Sequence, residues 1–572
     1  MERRTIIVGV HGIGDQSSFE TIQAIARQVC KFYQAPGAIP LGRFQPSRNT
    51  PAPPPFFPQN PPDPLLPHPI GFAEVYWADI PRCVAKRGYT LEEAKRWAKT
   101  IVDRLRLNYP GSFTPRDYRT IKRVLEEMID TIAVLERLLF LADKAGLFRF
   151  DLKKLLDDYL GDVQLVTEFT LHRQKILDRF FVTMEGIHTA DPDAEIQIVS
   201  HSEGTVVTFL ALLEAMCADP ASRPAWLSQV RGLMTIGSPI DKHLLLWPEL
   251  WRPLEGIQWN PRPEERIRWL NYYDYGDPVG FMLDTARLWL ELHGGTGFAF
   301  GEGDDFGYSR YYLPGKAHMD YWDDDYLFGH FLSRIVAPVP SEKRYEARPK
   351  NAPGARLATY LVPYAVIAIL LFGAVYLLYK SVASCIVTET APMAIIRDIT
   401  GISLLLAGIT VSARIPRLTR KRSLYLVGPA LFLGAVLLYP LLVSEGLRQR
   451  LGEFFVPLGI DPTSGVLILA TAILTLTTLI GGAFPKGGMK PLLIGGGCAV
   501  SAIVAAVVSG DADHKAVWPI FPAAAAFLYL WWLAALLFDL TFVWQRYIRQ
   551  AKGIIHLNKL YRARTAAASA QK

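Results

Sequence analysis

Five consecutive residues, Ser200-His201-Ser202-Glu203-Gly204, stand between a β-branched run, Glu195–Val199, and a helical stretch, Thr205–Met216, read as amphipathic. The order is strand, sharp turn, helix, with Ser202 at the apex and small residues two positions before and after it. A larger side chain on either flank of so tight a turn would strike the neighbouring element. The turn holds the Ser202 hydroxyl out of the sheet and aims the next N–H, that of Glu203, into the same space. A free hydroxyl is a poor nucleophile and needs a base within hydrogen-bond reach, itself oriented by a third group. The downstream candidates are His318, in a loop within Ala317–Trp322, and two acids past a strand at Ile267–Tyr272, Asp274 and Asp277. Upstream, the run Thr5–Val10 ends in His11-Gly12-Ile13-Gly14, where Gly12 and Gly14 admit backbone geometry that other residues resist. The Ile13 and Glu203 N–H groups would together bind an oxyanion. His201 is not the expected base, because neighbours on a tight turn point apart. His11 is expected to hydrogen-bond beneath the oxyanion loop.

On HGIG, on the SHSEG turn and on the order Ser…Asp…His, the chain resembles the α/β-hydrolase superfamily, in particular its lipase-like and esterase-like serine hydrolases, over about residues 4–336. It departs at Ser200, where the family usually has Gly. Similar hydrolases keep the acid in a D-P-V turn, so the resemblance favours Asp277 of Asp277-Pro278-Val279, with Asp274 as the alternative. It implies that His318 takes the Ser202 proton and returns it to the leaving group, while Asp277 fixes the imidazole tautomer. Ser200, Gly204, His11, Gly12 and Gly14 would support the site. Neither a metal nor an organic cofactor is implied.

Positioning these groups takes an α/β element order. Thr5–Val10, Ala73–Ile80, Glu195–Val199, Gly232–Ile236 and Ile267–Tyr272 read as strands, and Ser18–Tyr33 and Asp323–Val336 as helices. The expected fold is an α/β-hydrolase-like, mostly parallel sheet over 1–340, with a helical insertion near 90–182 and a proline-rich excursion over Pro36–Pro69. No GxGxxG or GK[ST] occurs, which disfavours a phosphate loop.

The second half differs in kind. Only 20% of the chain is charged, against about 25% typically. From Ser423 to Gln545 there are eleven charged residues in 123 positions, about 9%. A water-exposed domain cannot be so poor in charge. Stretches of about 20 apolar residues, enough to span a bilayer, run over Leu357–Tyr379, Ser423–Val443, Ser464–Phe484, Pro491–Gly510 and Val517–Phe542. A marginal sixth covers Ala391–Ser412. The expected layout is a basic linker at 341–356, an all-α transmembrane bundle of about six helices at 357–545 and a basic tail at 546–572. With six spans and a cytoplasmic N-terminus, 19 basic residues fall inside and five outside, as the positive-inside rule requires. No signal-peptide apolar region precedes Ile6–Val10, so the first half and both termini are expected in the cytoplasm, with the spans in a bacterial cytoplasmic membrane. Asp539, seven residues before Arg546 on the same helix face, is read as structural.

Five Cys without close spacing exclude a disulfide scaffold and a CxxC zinc module. Basic residues beside the spans, and not on a folded face, disfavour nucleic acid. The sequence thus points to a membrane-bound esterase acting on a lipid or amphiphilic ester. The competing reading is a transport or signalling membrane protein whose hydrolase-like domain binds or regulates.

Overall fold

The computed structural model describes residues 4–13, 16–34, 56–58, 68–81, 163–277, 279–312, 314–336, 351–386, 392–418, 426–442 and 520–543, together with 100, 104, 424, 459 and 545. Gly14, most of the expected helical insertion and the apolar stretches Ser464–Phe484 and Pro491–Gly510 lie outside them. The described residues form two compact units, one ending at Thr359 and the other beginning at Tyr360.

The first unit is an α/β layer structure. Its strands are β1 (Thr5–Val10), β2 (Phe56–Pro58), β3 (Ile70–Val75), β4 (Glu195–His201), β5 (Val230–Ile236), β6 (Ile267–Asp274), β7 (Phe298–Ala299) and β8 (Asp305–Tyr308). They form one sheet in the order β2-β3-β1-β4-β5-β6-β7, with β8 also paired to β6. Every pairing is parallel except β2–β3. A parallel sheet is buried on both faces, and alternate residues of β1 show it. Ile6, Val8 and Val10 enter one apolar core with α2 (Thr170–Ala190), α3 (Glu203–Cys217) and α5 (Asp284–Leu292). Ile7 enters another with α1 (Glu20–Tyr33) and α7 (Asp325–Phe331). Short helix α4 (Ile240–Leu246) follows β5, and α6 (Pro314–Met319) follows β8.

Some elements differ from their expected form. The strand expected at Ala73–Ile80 runs instead from Ile70 to Val75. Pro69 cannot donate to a ladder, and the Trp77 N–H leaves it for His11 Nε2, 3.0 Å away. α3 is not amphipathic: from Glu203 to Leu213 every residue is buried, because the helix lies between the sheet and other helices. His318 stands on α6 and not in a loop. The expected helix from Asp323 starts at Asp325, where Asp324 caps it by accepting the Tyr326 and Leu327 N–H groups.

Glu74 of β3 is buried, and its carboxylate receives the Phe19 and Ile22 N–H groups at the start of α1. Burial lifts its pKa from 4.5 to about 7, although these N–H groups pull it down. A folded state that binds the proton more tightly than the unfolded chain loses stability as pH rises from about 4.5 through 7. The shift corresponds to about 3 kcal/mol. Denaturant unfolding at pH 5 and pH 8 should show this slope, and Glu74→Gln should flatten it.

Helix α8 (Ala355–Ile386) has its first residues, to Thr359, in the first unit and the rest in the second, which also holds α9 (Pro392–Leu418), α10 (Val427–Leu442) and α11 (Ile520–Val543). Among the described residues, three segments are long and apolar enough to cross a membrane: Ala355–Ser381, Pro392–Ser412 and Pro522–Asp539. Helices pack closely through small residues. A Cβ at Gly408 would stand 2.7 Å from Phe432 backbone, and one at Gly428 2.3 Å from that of Ser412. Asp539, read as structural, is buried, and Arg546 lies outside the described residues. The Asp539 carboxylate accepts from buried Arg414 of α9 at 2.7 Å.

Candidate active site

The parallel strands bring their carboxyl ends to one edge, where α/β sheets place ligands. β1 ends into His11-Gly12, β4 into Ser202, β5 into Gly237 and β6 into the Asp274–Asp277 turn. Ser202 has φ 51°, a left-handed value rare for a residue with a side chain. It is the turn between β4 and α3 that forces it there. The Ser202 N–H is tied to the Ile236 carbonyl at 3.0 Å.

Ser202 Oγ lies 2.9 Å from His318 Nε2. His318 Nδ1 lies 3.0 Å from both carboxylate oxygens of Asp277. All three residues are buried. Asp277 therefore fixes the tautomer: Nδ1 donates to the carboxylate, leaving Nε2 to accept from the Ser202 hydroxyl. Burial alone would raise the Asp277 pKa. The adjacent His318, the Tyr321 hydroxyl at 2.7 Å and the Val279 N–H at 2.7 Å outweigh it and hold the carboxyl well below its usual range. The stabilisation this gives is complete above the ordinary carboxylate pKa and is lost only as pH falls through the lowered one.

Asp274, the alternative acid, is turned elsewhere. Its Oδ1 accepts from Gly276 N–H at 2.6 Å, and its Oδ2 from Arg310 and Tyr311 N–H groups at 2.7 and 3.3 Å. Burial raises its pKa to about 6 against those bonds. On the esterase expectation from the sequence, Asp277→Asn should lower ester turnover by on the order of 10³–10⁴ through loss of the tautomer lock. Asp274→Asn should cost about tenfold at most, because it loosens a loop without facing the imidazole; steady-state kinetics on both separate the two.

The turn after β1 packs directly under the Ser. A Cβ on Gly12 would stand 2.7 Å from Ser202 Cβ. His11 accepts the Trp77 N–H at Nε2, so Nδ1 carries its proton and donates to the Gly12 carbonyl at 2.7 Å. Holding that carbonyl fixes the planar Gly12–Ile13 peptide, whose N–H points the opposite way. Glu203 is the first residue of α3, where N–H groups have no intrahelical acceptor. Its carboxylate is turned to His243, 3.1 Å away, and both are buried. Ser200, the departure from Gly, is used: Thr208 donates to the Gly204 carbonyl, so the Ser200 hydroxyl donates to Thr208 Oγ1 at 2.7 Å.

Sequence reasoning missed Tyr321 and gave His201 no role beyond setting it aside as the base. Tyr321 accepts the Asp274 N–H and donates to Asp277; its place one helical turn after His318 was the available signal. His201 donates from Nε2 to the His318 carbonyl at 2.8 Å. Burial, with His318 alongside, lowers its pKa to about 3, so it stays neutral. Gly237, at φ 61°, lies beneath the pair: a Cβ there would meet Asp277 Oδ2 and His318 Nδ1 at 3.0 and 3.1 Å.

No family model, no curated protein and no solved structure matches the chain.

Proposed function

We propose that this chain is a membrane-bound serine hydrolase of the α/β-hydrolase kind, cleaving ester or thioester bonds of a lipid or amphiphile. The observation that carries the reading is the unbroken, buried hydrogen-bond chain Ser202 Oγ–His318 Nε2–Nδ1–Asp277, with Ser202 in a strained turn at the carboxyl edge of a parallel sheet. Strain of this kind clusters at reacting residues.

In this reading Ser202 Oγ attacks the acyl carbon as its proton passes to His318 Nε2, and Asp277 stabilises the imidazolium. The carbonyl oxygen becomes an oxyanion facing the Glu203 and Ile13 N–H groups. Collapse expels the alcohol or thiol, which takes the proton from His318, leaving an ester on Ser202. Water, deprotonated by His318, then cleaves that ester, returning the proton to Ser202 and releasing the acid. Apolar helices suited to a bilayer support a substrate that resides there. The charge pattern supports six spans with both termini cytoplasmic.

The test is labelling of the full chain in membranes with a fluorophosphonate probe. Wild type should be labelled at Ser202 and Ser202→Ala should be silent. A wild type that stays unlabelled would leave the transport or signalling reading standing.

A further inference from the structure

The catalytic acid sits in a loop, and loops need to be held. One side of the Asp274–Val279 turn is held by Tyr321 and by Lys242, whose Nζ donates to the Val279 carbonyl at 2.9 Å. The other side rests on residues from far along the chain. Ser309, just past β8, exchanges two bonds with the stretch before α8: its N–H donates to Asn351 Oδ1 at 2.7 Å, and its carbonyl accepts the Ala352 N–H at 2.9 Å. Tyr312 donates from its hydroxyl to the Pro353 carbonyl at 3.1 Å. Thr359, fully buried in the first turns of α8, directs its hydroxyl to the Tyr311 carbonyl at 3.0 Å and to the Ala355 carbonyl. Its methyl group fills the space over Gly276: a Cβ there would meet Thr359 Cγ2 at 2.7 Å and Ala317 Cβ at 3.5 Å.

The segment they hold is the one that grips Asp274. The Arg310 and Tyr311 N–H groups bond its carboxylate, and the Asp274 carbonyl accepts the Asp277 N–H at 2.9 Å. The path thus runs from Asn351, Ala352 and Thr359 through Ser309–Tyr311 to Asp274, and from there to Asp277 and His318. The apolar segment that begins at Ala355 is long enough to cross a membrane.

We propose that Asn351–Thr359 is a positioning brace for the Asp277–His318 pair, so that the start of the first membrane helix is a working part of the hydrolytic site as well as its anchor. The inference rests on the hydrolase reading. Its physical basis is that a misplacement of about 1 Å at a reacting group costs roughly 10²-fold in rate. Asn351 and Thr359 are positioning residues: their hydrogen bonds go to Ser309, Tyr311 and Ala355, not to Ser202, His318 or Asp277.

The test uses the full chain in bilayer nanodiscs with Thr359→Val, which keeps the shape and removes the hydroxyl, Thr359→Ser, which restores it, and Asn351→Ala. Ester turnover and amide exchange over 274–279 and 309–318 are measured on each. Thr359→Val and Asn351→Ala should each lower kcat about tenfold with KM unchanged and speed exchange in both segments. Thr359→Ser should restore both. A rise in KM alone, wild-type kcat with faster exchange, or unchanged exchange in both variants would overturn the brace. Exchange needs no turnover, so a wild type inert to ester and fluorophosphonate would sink the hydrolase reading, and exchange would still decide whether the segment holds the acid loop.

Discussion

On the proposed hydrolase reading, Ser202→Ala and His318→Ala should each lower kcat by on the order of 10⁶, and the double variant should be no worse than either single one. The expectation follows from the pair acting as a unit. With Ser202 gone there is no acceptor for the acyl group, and the base has no proton to take. With His318 gone the hydroxyl remains but ionises too rarely to attack. Removing the second partner therefore removes nothing that still works. What survives in all three variants is what the N–H groups of Glu203 and Ile13 and substrate binding supply, a residual of roughly 10³–10⁴ over water. Pre-steady-state kinetics sharpens the test. Wild type should release a stoichiometric burst of alcohol or thiol if deacylation is slow, and none of the variants should. An additive loss in the double variant would mean that Ser202 and His318 act on separate steps, which contradicts the 2.9 Å contact between them.

The parts of the site that sequence reading locates well are those whose constraint is local. Ser202 needs a strand before it, a helix after it and small residues at 200 and 204, all within a few positions. The β1 turn is similarly compact. The acid is harder, because Asp274 and Asp277 lie three residues apart on the same turn and composition treats them alike. What separates them is tertiary: backbone N–H groups from Arg310 and Tyr311 occupy Asp274, while Tyr321 and His318 occupy Asp277. Helix α3 shows the same limit in the opposite direction. Its pattern reads as amphipathic, yet it lies wholly within the first core, between the sheet and residues of α2 and α5. For Asp539 the sequence reading gives a structural role without a partner, and helix packing delivers Arg414 from 125 positions away. In each case the deciding partner is distant in sequence, and periodicity has no access to it.

Gly204→Ala should be the most damaging single-methyl change in the first unit. A Cβ at this position would stand 2.2 Å from the His11 carbonyl oxygen and 2.9 Å from that of Val10. Both obstacles are backbone, so no side chain can rotate away. Relief requires prising the end of β1 from the start of α3. Ala has a better helix propensity than Gly by about 1 kcal/mol, but overpacking costs about 1–3 kcal/mol, and with immovable backbone in the way the upper end applies, so a net loss of up to about 2 kcal/mol is expected. The catalytic effect should be larger than the stability effect suggests. The carbonyl that must retreat belongs to the His11–Gly12 peptide, next to the one presenting the Ile13 N–H, and α3 must carry the Glu203 N–H away with it. Both oxyanion donors move at once, and loss of even one typically costs 10²–10³ in rate. Gly256→Ala is the control, since nothing lies within 4 Å of a Cβ there. Thermal unfolding with steady-state kinetics on the two variants should show Gly204→Ala both less stable and at least 10²-fold slower, with Gly256→Ala matching wild type. If Gly204→Ala kept wild-type kcat, the close approach of β1 to the Ser202 turn could not be what builds the oxyanion site.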